Sequence, residues 1–491
     1  MDDNLDKLIS RRSFLRRGSC AALGLGGLMS QLFTLRMTSA ALAQTGSGFS
    51  DYKALVCVFL FGGNDAGNTI IPISGGNQNY SDYATGRTGL AIPQSSLGAT
   101  TFTPAGSTRQ FALHPQLTDV LNLFNQGNMA IVANTGTLVE PTTLTQYQNR
   151  SVSLPPQLFA HNTQQELWQI STADAVGRIG WGGRIADSLQ ALGAQNDSGV
   201  SMNISIAGAN YYLSGNQVTP YAVSPTGAIG LSTNSVASSG NERTRVATAY
   251  ADLIALQDNP AYSARNELSK AYADVAARAL RNEEIVSMID ARQDPNTGDS
   301  ILRGLAVPDG NSLAAQLGAV ARLIESGPSI LGQNRQVFFV SLGGWDNHNG
   351  LIGPHDDNLA RVNDALKYFW DALGVLNRQN DVTTFTASDF GRTYRSNGNG
   401  SDHGWGGHHF VMGGNQVDGG KMYGDYGNIA IGGPEDTGNG RFIPTTSVDE
   451  YAFEFARWIG VPSSEMGTMF PNLGRFLDVN NPSTHLGFMN S

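Results

Sequence analysis

Cysteine is nearly absent. Two occur in 491 residues, Cys20 and Cys57, which excludes a disulfide-built scaffold and any four-cysteine or two-cysteine, two-histidine zinc module. Charge is sparse at 15%, and no block of Lys or Arg stands out among 31 basic and 41 acidic residues, a formal net charge of −10. Nucleic acid and anionic membrane surfaces require clustered basic side chains, so neither is an expected partner. Beyond the N-terminal region no stretch approaches the roughly 18 consecutive apolar residues of a membrane span, and no transmembrane segment is expected in the mature chain. Glycine is abundant, 59 residues, and a 40% hydrophobic fraction can fill the core of one large or a few ordinary domains. No fixed-period repeat divides the chain.

Near the start, Ser10-Arg11-Arg12-Ser13-Phe14-Leu15-Arg16 precedes an uncharged, moderately apolar stretch from Gly18 to Phe33. Ala41-Leu42-Ala43 then offers the small-x-small pattern that signal peptidase cuts. The expectation is a twin-arginine export signal over residues 1–43, a periplasmic or secreted protein, and one α/β domain over 44–491. Cleavage leaves Cys57 as the sole cysteine. This route carries folded cargo, which suits a protein that takes up a metal before crossing.

Three segments share one grammar. Ala54–Phe61, Gln336–Leu342 and Val382–Ala387 are apolar, rich in β-branched and aromatic residues, and fit strands buried on both faces of a largely parallel sheet. Each is followed closely by an aspartate: Asp65, Asp346 and Asp389. Ligands of open α/β sheets bind at strand carboxyl ends. Three carboxylates gathered there need a cation to offset their repulsion, although an aspartate leaving a strand is also an ordinary turn or cap residue. Helical periodicity is read over His114–Gln126, 240–293, Ser312–Ser326 and His355–Arg378, and Ser447-x-x-Glu450 is a capping box opening a helix to Trp458. A short strand is read at Met129–Ala133. A Ser/Gly/Asn/Thr-rich segment begins near 195, and an insertion or lid is expected around 195–300.

Of eight histidines, five lie between His348 and His409: His348, His355, His403, His408 and His409. Imidazole nitrogen with carboxylate oxygen is the donor set of zinc and similar ions. Asp346-x-His348 and Asp402-His403 each place both donor types within one turn. The alternatives are a polar, Gly-rich surface loop over 401–409 and a helix-capping role for His355.

Gly62-Gly63-Asn64-Asp65-Ala66-Gly67-Asn68-Thr69, Leu113-His114-Pro115, Leu158-Phe159-Ala160-His161-Asn162, Gly343-Gly344-Trp345-Asp346-Asn347-His348, Ser388-Asp389-Phe390-Gly391-Arg392-Thr393 and Asp402-His403-Gly404 occur in this order. Together they resemble the exported bacterial proteins of the domain-of-unknown-function 1501 family, over nearly the whole mature chain. That family is grouped with alkaline phosphatases and sulfatases. The resemblance implies a three-layer α/β/α sandwich around a mostly parallel sheet, with a two-metal site at the strand ends. By the same resemblance Asp65 holds one ion, Asp346 and His348 hold the other, and Asp389 stands for the aspartate of a late Ser-Asp-His-Gly motif. Position 390 is Phe here, so His403, beside Asp402, is the stand-in for the missing histidine, and His408 joins the candidate ligands. The nucleophile position also departs from the pattern, because Ala160 stands where the family's usual Ser falls. No Cys-x-Pro-x-Arg or Ser-x-Pro-x-Arg occurs, which disfavours a formylglycine sulfatase. Thr163 is the remaining candidate, although Thr163-x-x-Glu166 is also a capping box.

Two functions follow. One is an exported metal-dependent hydrolase of a small-molecule or polymeric phosphate or sulfate ester, using zinc or, alternatively, calcium, magnesium or manganese. Two ions about 4 Å apart would clamp the ester, Thr163 or a water would attack, and Arg392 would steady the anion. The other is a catalytically inactive exported binding or assembly protein that keeps the fold.

Overall fold

The apolar run at 54–61 forms the central strand of the main sheet. The structure is a computed structural model that describes residues 48–490 apart from 77, 176, 226, most of 229–300 and 303. The expected signal segment and the helical region at 240–293 thus lie outside the described residues, the latter almost entirely.

In chain order the first half comprises β1 (Lys53–Leu60), α1 (Ala66–Thr69), β2 (Ile70–Ser74), α2 (Tyr80–Arg87), β3 (Thr101–Phe102), β4 (Gln110–Leu113), α3 (Thr118–Asn125), β5 (Met129–Gly136), α4 (Leu144–Asn149), α5 (His161–Ile170) and α6 (Trp181–Ala191). The rest comprises β6 (Asn203–Ser205), β7 (Tyr221–Ser224), β8 (Gly227–Ala228), α7 (Ser312–Ser326), β9 (Arg335–Leu342), α8 (Ile352–Val375), β10 (Val382–Ser388), β11 (Gly407–Met412), β12 (Met422–Tyr423), β13 (Thr446–Ser447), α9 (Val448–Ile459) and α10 (Ser463–Met469).

Among the described residues the main sheet has ten strands, in the order β12-β5-β11-β10-β1-β9-β6-β7-β8, with β13 also beside β5. Parallel pairing joins β1 to both β10 and β9, so their carboxyl ends share one edge. β11 runs antiparallel between β10 and β5. Period-two alternation divides β1 between two cores. Ala54, Val56, Val58 and Leu60 pack with α3, α7 and α8, whereas Leu55, Cys57 and Phe59 pack with α6, α9 and α10. This is the expected α/β/α sandwich. A three-stranded antiparallel sheet, β2-β4-β3, packs on the first of these cores.

Helix ends follow local chemistry. Ser447 and Glu450 form the capping box that starts α9, which closes on Gly460 at φ 116°. The side chain of Asn311 accepts from the Ala314 N–H to start α7. His355 is not a cap: α8 begins at Ile352, and the ring is buried inside its first turn. In the described part of the expected insertion or lid, β6 pairs with β9 and β7 with β6, which extends the sheet.

Candidate metal centre

Asp346 leaves the end of β9 with its carboxylate 44% exposed. The tight passage behind it depends on Gly62, at φ 119°, where a Cβ would lie 2.5 Å from the Asp346 nitrogen. Arg392, its side chain fully buried, donates to Asp346 Oδ1 at 2.7 Å, to the Gly62 carbonyl at 3.0 Å and to both the hydroxyl and the carbonyl of Ser401. One guanidinium therefore ties together the loops that follow β1, β9 and β10. Burial pushes the Asp346 carboxyl up, but the Arg392 hydrogen bond and charge, with His161 and His348, overcome this and hold it at about 2.

Three imidazoles face this carboxylate. His348 Nε2 lies 3.0 Å and His403 Nε2 3.3 Å from Oδ1, 2.8 Å from each other, and His161 Nε2 lies 3.3 Å from Oδ2. The opposite ring nitrogens each face an oxygen as well. His161 Nδ1 is 2.6 Å from Asp389 Oδ2, His348 Nδ1 is 3.0 Å from Asp402 Oδ1, and His403 Nδ1 is 2.6 Å from the Phe159 carbonyl. Each of these oxygens accepts an Nδ1–H in the tautomer that turns the Nε2 lone pair toward Asp346. In that tautomer three lone pairs and a carboxylate meet. His161 Nε2 is buried without a hydrogen-bond partner.

Such an arrangement suits a cation. The spacings approach the separation of about 3.3 Å between ligand atoms of a four-coordinate zinc, and Nδ1–H bonded to carboxylate or carbonyl is the usual outer support of a ligating histidine. The ligand atoms of His161, Asp346 and His403 all lie within 4.8 Å of one another, which fits a divalent ion, and His348 Nε2 lies beside Asp346 and His403.

Electrostatics agree with the geometry. The Asp389 hydrogen bond raises the His161 pKa despite partial burial, so that ring attracts positive charge, proton or metal. Burial lowers the His403 pKa and keeps its lone pair available. Asp402 is lowered first by its bond from Asn397, with His348 adding to the effect. The Phe390 ring packs on His161 and His403 at centroid distances of 4.8 and 4.7 Å, so position 390 braces two of the clustered imidazoles. Phe159 takes the left-handed conformation, φ 74°, which is costly for an aromatic residue; its carbonyl anchors His403.

The sequence candidates separate accordingly. Asp346, His348 and His403 converge, and Asp389 and Asp402 stand behind them as anchors. Asp65 pairs with the buried Arg87 instead. His408 is remote from the cluster: it lies on β11, accepts the Asn134 N–H at 3.0 Å, stacks on Tyr426, and is pushed by burial down to about 3. Thr163 sits in the first turn of α5, and its hydroxyl donates to Gln157 Oε1 at 2.7 Å. The capping box read over Thr163 and Glu166 is not formed, because α5 starts at His161 with Ala160 at its N-cap. Arg392, expected to face an anion, is spent on Asp346, the Ser401 hydroxyl and backbone carbonyls. His161 was not among the sequence candidates for ligands; it stands 185 residues before Asp346, and its motif bore only on the nucleophile.

Fold and centre define an α/β/α protein with a histidine and carboxylate cluster at the carboxyl edge of its parallel strands. The chain belongs to the family described as "Protein of unknown function (DUF1501)", whose model matches residues 52–437. Among solved structures it is similar to the crystal structure of the PsFucS1 sulfatase from Pseudoalteromonas sp., at 10% identity and a TM-score of 0.31, over 87% of this chain and 72% of that one. A search of curated proteins found no match.

Proposed function

We propose that this protein is an exported, metal-dependent hydrolase of phosphate or sulfate esters, with its centre at His161, Asp346, His348 and His403. The observation that carries the proposal is the convergence of three imidazole Nε2 atoms on one carboxylate, each ring fixed from behind by an oxygen acceptor. A divalent ion bound there supplies Lewis acidity, polarising an ester oxygen and activating water. Asp389 orients His161, Asp402 orients His348, and the Phe159 carbonyl orients His403. Arg392 keeps Asp346 ionised and in place. Among the described residues no Ser, Thr or Cys side chain hydrogen-bonds any of the four converging groups, which favours water over Thr163 as the attacking group. The ester class is taken from the family resemblance, and export from Arg11-Arg12.

Metal analysis of the purified protein, beside a screen of phosphomonoester, phosphodiester and sulfate-ester substrates, tests the proposal. Bound metal with chelator-sensitive turnover of one class is the expected result; a protein that binds no divalent metal would overturn it. The same absence of a hydroxyl or thiol, with Ala160 at the start of α5, favours a second reading, a binding or assembly protein that keeps the centre. Metal binding without turnover of any of the three classes would move that reading ahead.

A further inference from the structure

Three strand-end aspartates invite a second ion beside the first, and the partners of each carboxylate say otherwise. Asp389 accepts from the Gly62 N–H at 3.1 Å, from His161 at 2.6 Å and from Gln165 Nε2 at 2.7 Å. Asp402 accepts from His348 and from Asn397 Nδ2 at 2.9 Å. Asp65, almost fully buried, is bound by the guanidinium of Arg87, itself fully buried. Arg87 also donates to Asn68 Oδ1 at 3.1 Å and to the carbonyls of Thr393 at 3.2 Å and Tyr394 at 3.1 Å. It therefore locks the turn after β1 to the loop after β10. One oxygen of Asp65, Oδ1, has no donor, yet Asp65 belongs to neither of the two side-chain groups that bring three ligand atoms together.

The second of those groups, His114, His355 and Asp356, is closed to a cation by its protons. The Gln116 N–H donates to His114 Nδ1 at 3.2 Å, which places the neutral ring's proton on Nε2, where it is given to Asp356 at 2.8 Å. His355 Nε2 is turned to Asn64 Oδ1 at 3.2 Å. Of the two groups, the one around Asp346 is the one whose rings are each backed on Nδ1 by an oxygen acceptor.

We propose that the centre takes one divalent ion per chain, and that Arg87, fixed on Asp65, provides the positive charge a second ion would otherwise bring to the end of β1. This rests on the metal-centre reading above and departs from the two-ion site implied by the family resemblance.

The test is stoichiometry. The full chain, loaded with excess Zn²⁺ or, separately, Mn²⁺ and then desalted, is expected to retain one equivalent by elemental analysis, lost in His348→Ala. Two equivalents would overturn the single-ion proposal and leave the metal reading standing; none would overturn both. Asp65→Asn is expected to keep the equivalent, and its loss from the folded variant would make Asp65 a ligand after all. Asp65→Asn strands Arg87 without its anion, so Asp65→Asn/Arg87→Gln, which removes both charges, provides a second reading of the same point. Melting temperatures of the two single variants and the double are expected to be non-additive, the double losing less than the sum; additive losses would remove the role given to Arg87.

Discussion

At the scale of single residues, the centre separates side chains that would touch an ion from those that aim them. Asp389 is on the aiming side, so Asp389→Asn should leave the fold intact and weaken metal affinity by roughly 10- to 100-fold, the usual cost of losing an outer-shell partner. Titration of the metal-free protein with Zn²⁺ would measure this, and an unchanged affinity would contradict the role. Thr163→Ala should leave affinity unchanged and cost about 1 kcal/mol or less in a thermal melt, because its one hydrogen bond runs to the Gln157 side chain. What sequence conveys about this site is uneven for a physical reason. Asp346 and His348 are close in the chain, and their donor types speak for themselves. His161 is identified as a member by contacts distant in the chain, Nδ1 to Asp389 across 228 residues and Nε2 to Asp346. Asp65 has the right position but the wrong partner, since the turn that brings Arg87 back over it carries no signal a motif can show.

At the scale of elements, the three apolar strands were legible because residues buried on both faces leave little choice of composition. The start of α5 was not legible: a left-handed Phe159 sets it, and a capping pattern two residues further on goes unused. His408 and His409, neighbours of His403 in sequence, depart from it because β11 begins at Gly407 and takes both into the interior. Gly62→Ala tests the packing of the strand ends. Its Cβ would meet the backbone of Trp345 and Asp346 in a conformation that suits glycine, so a loss of at least about 2 kcal/mol is expected, with lower metal retention as Asp346 moves. Calorimetry and elemental analysis of the variant would check both.

In α9 the buried Asp449 makes a different prediction. Burial pushes its carboxyl up to about 7 against the bond from Ser171 and the charge of Arg184. Between about pH 4 and 7 the folded chain then holds a proton that the unfolded chain has released, so stability falls as pH rises through that window, by up to roughly 4 kcal/mol. Asp449→Asn should flatten this slope and raise the melting temperature at pH 8, as thermal melts from pH 4 to 8 would show. A slope unchanged in the variant would place its origin elsewhere.

At the scale of the whole molecule, no helix among the described residues is long and apolar enough to cross a membrane. The proposed export signal can be tested separately from the fold. Replacing Arg11 and Arg12 by Lys should leave uncleaved precursor in the cytoplasm, because the proposed pathway recognises the paired arginines and not charge alone; normal processing of that double variant in fractionated cells would remove the assignment. Cys57, the remaining cysteine after such cleavage, is buried on β1, and burial raises its thiol pKa well above the usual value, which leaves it unreactive in either redox compartment.

The placement of β11 has a consequence in time. His403 arrives on the loop that leads into this strand, and its anchor Phe159 lies 244 residues earlier. β11 must then slot antiparallel between β10 and β5, both of which precede it in the chain. Closing such long loops is the slow part of folding, whereas helices and local turns form early. The four converging side chains therefore have no partial version: a chain stalled before β11 docks can own most of its helices and still have nowhere to hold an ion. Ion retention would then report that β11 has docked, a checkpoint written into strand order.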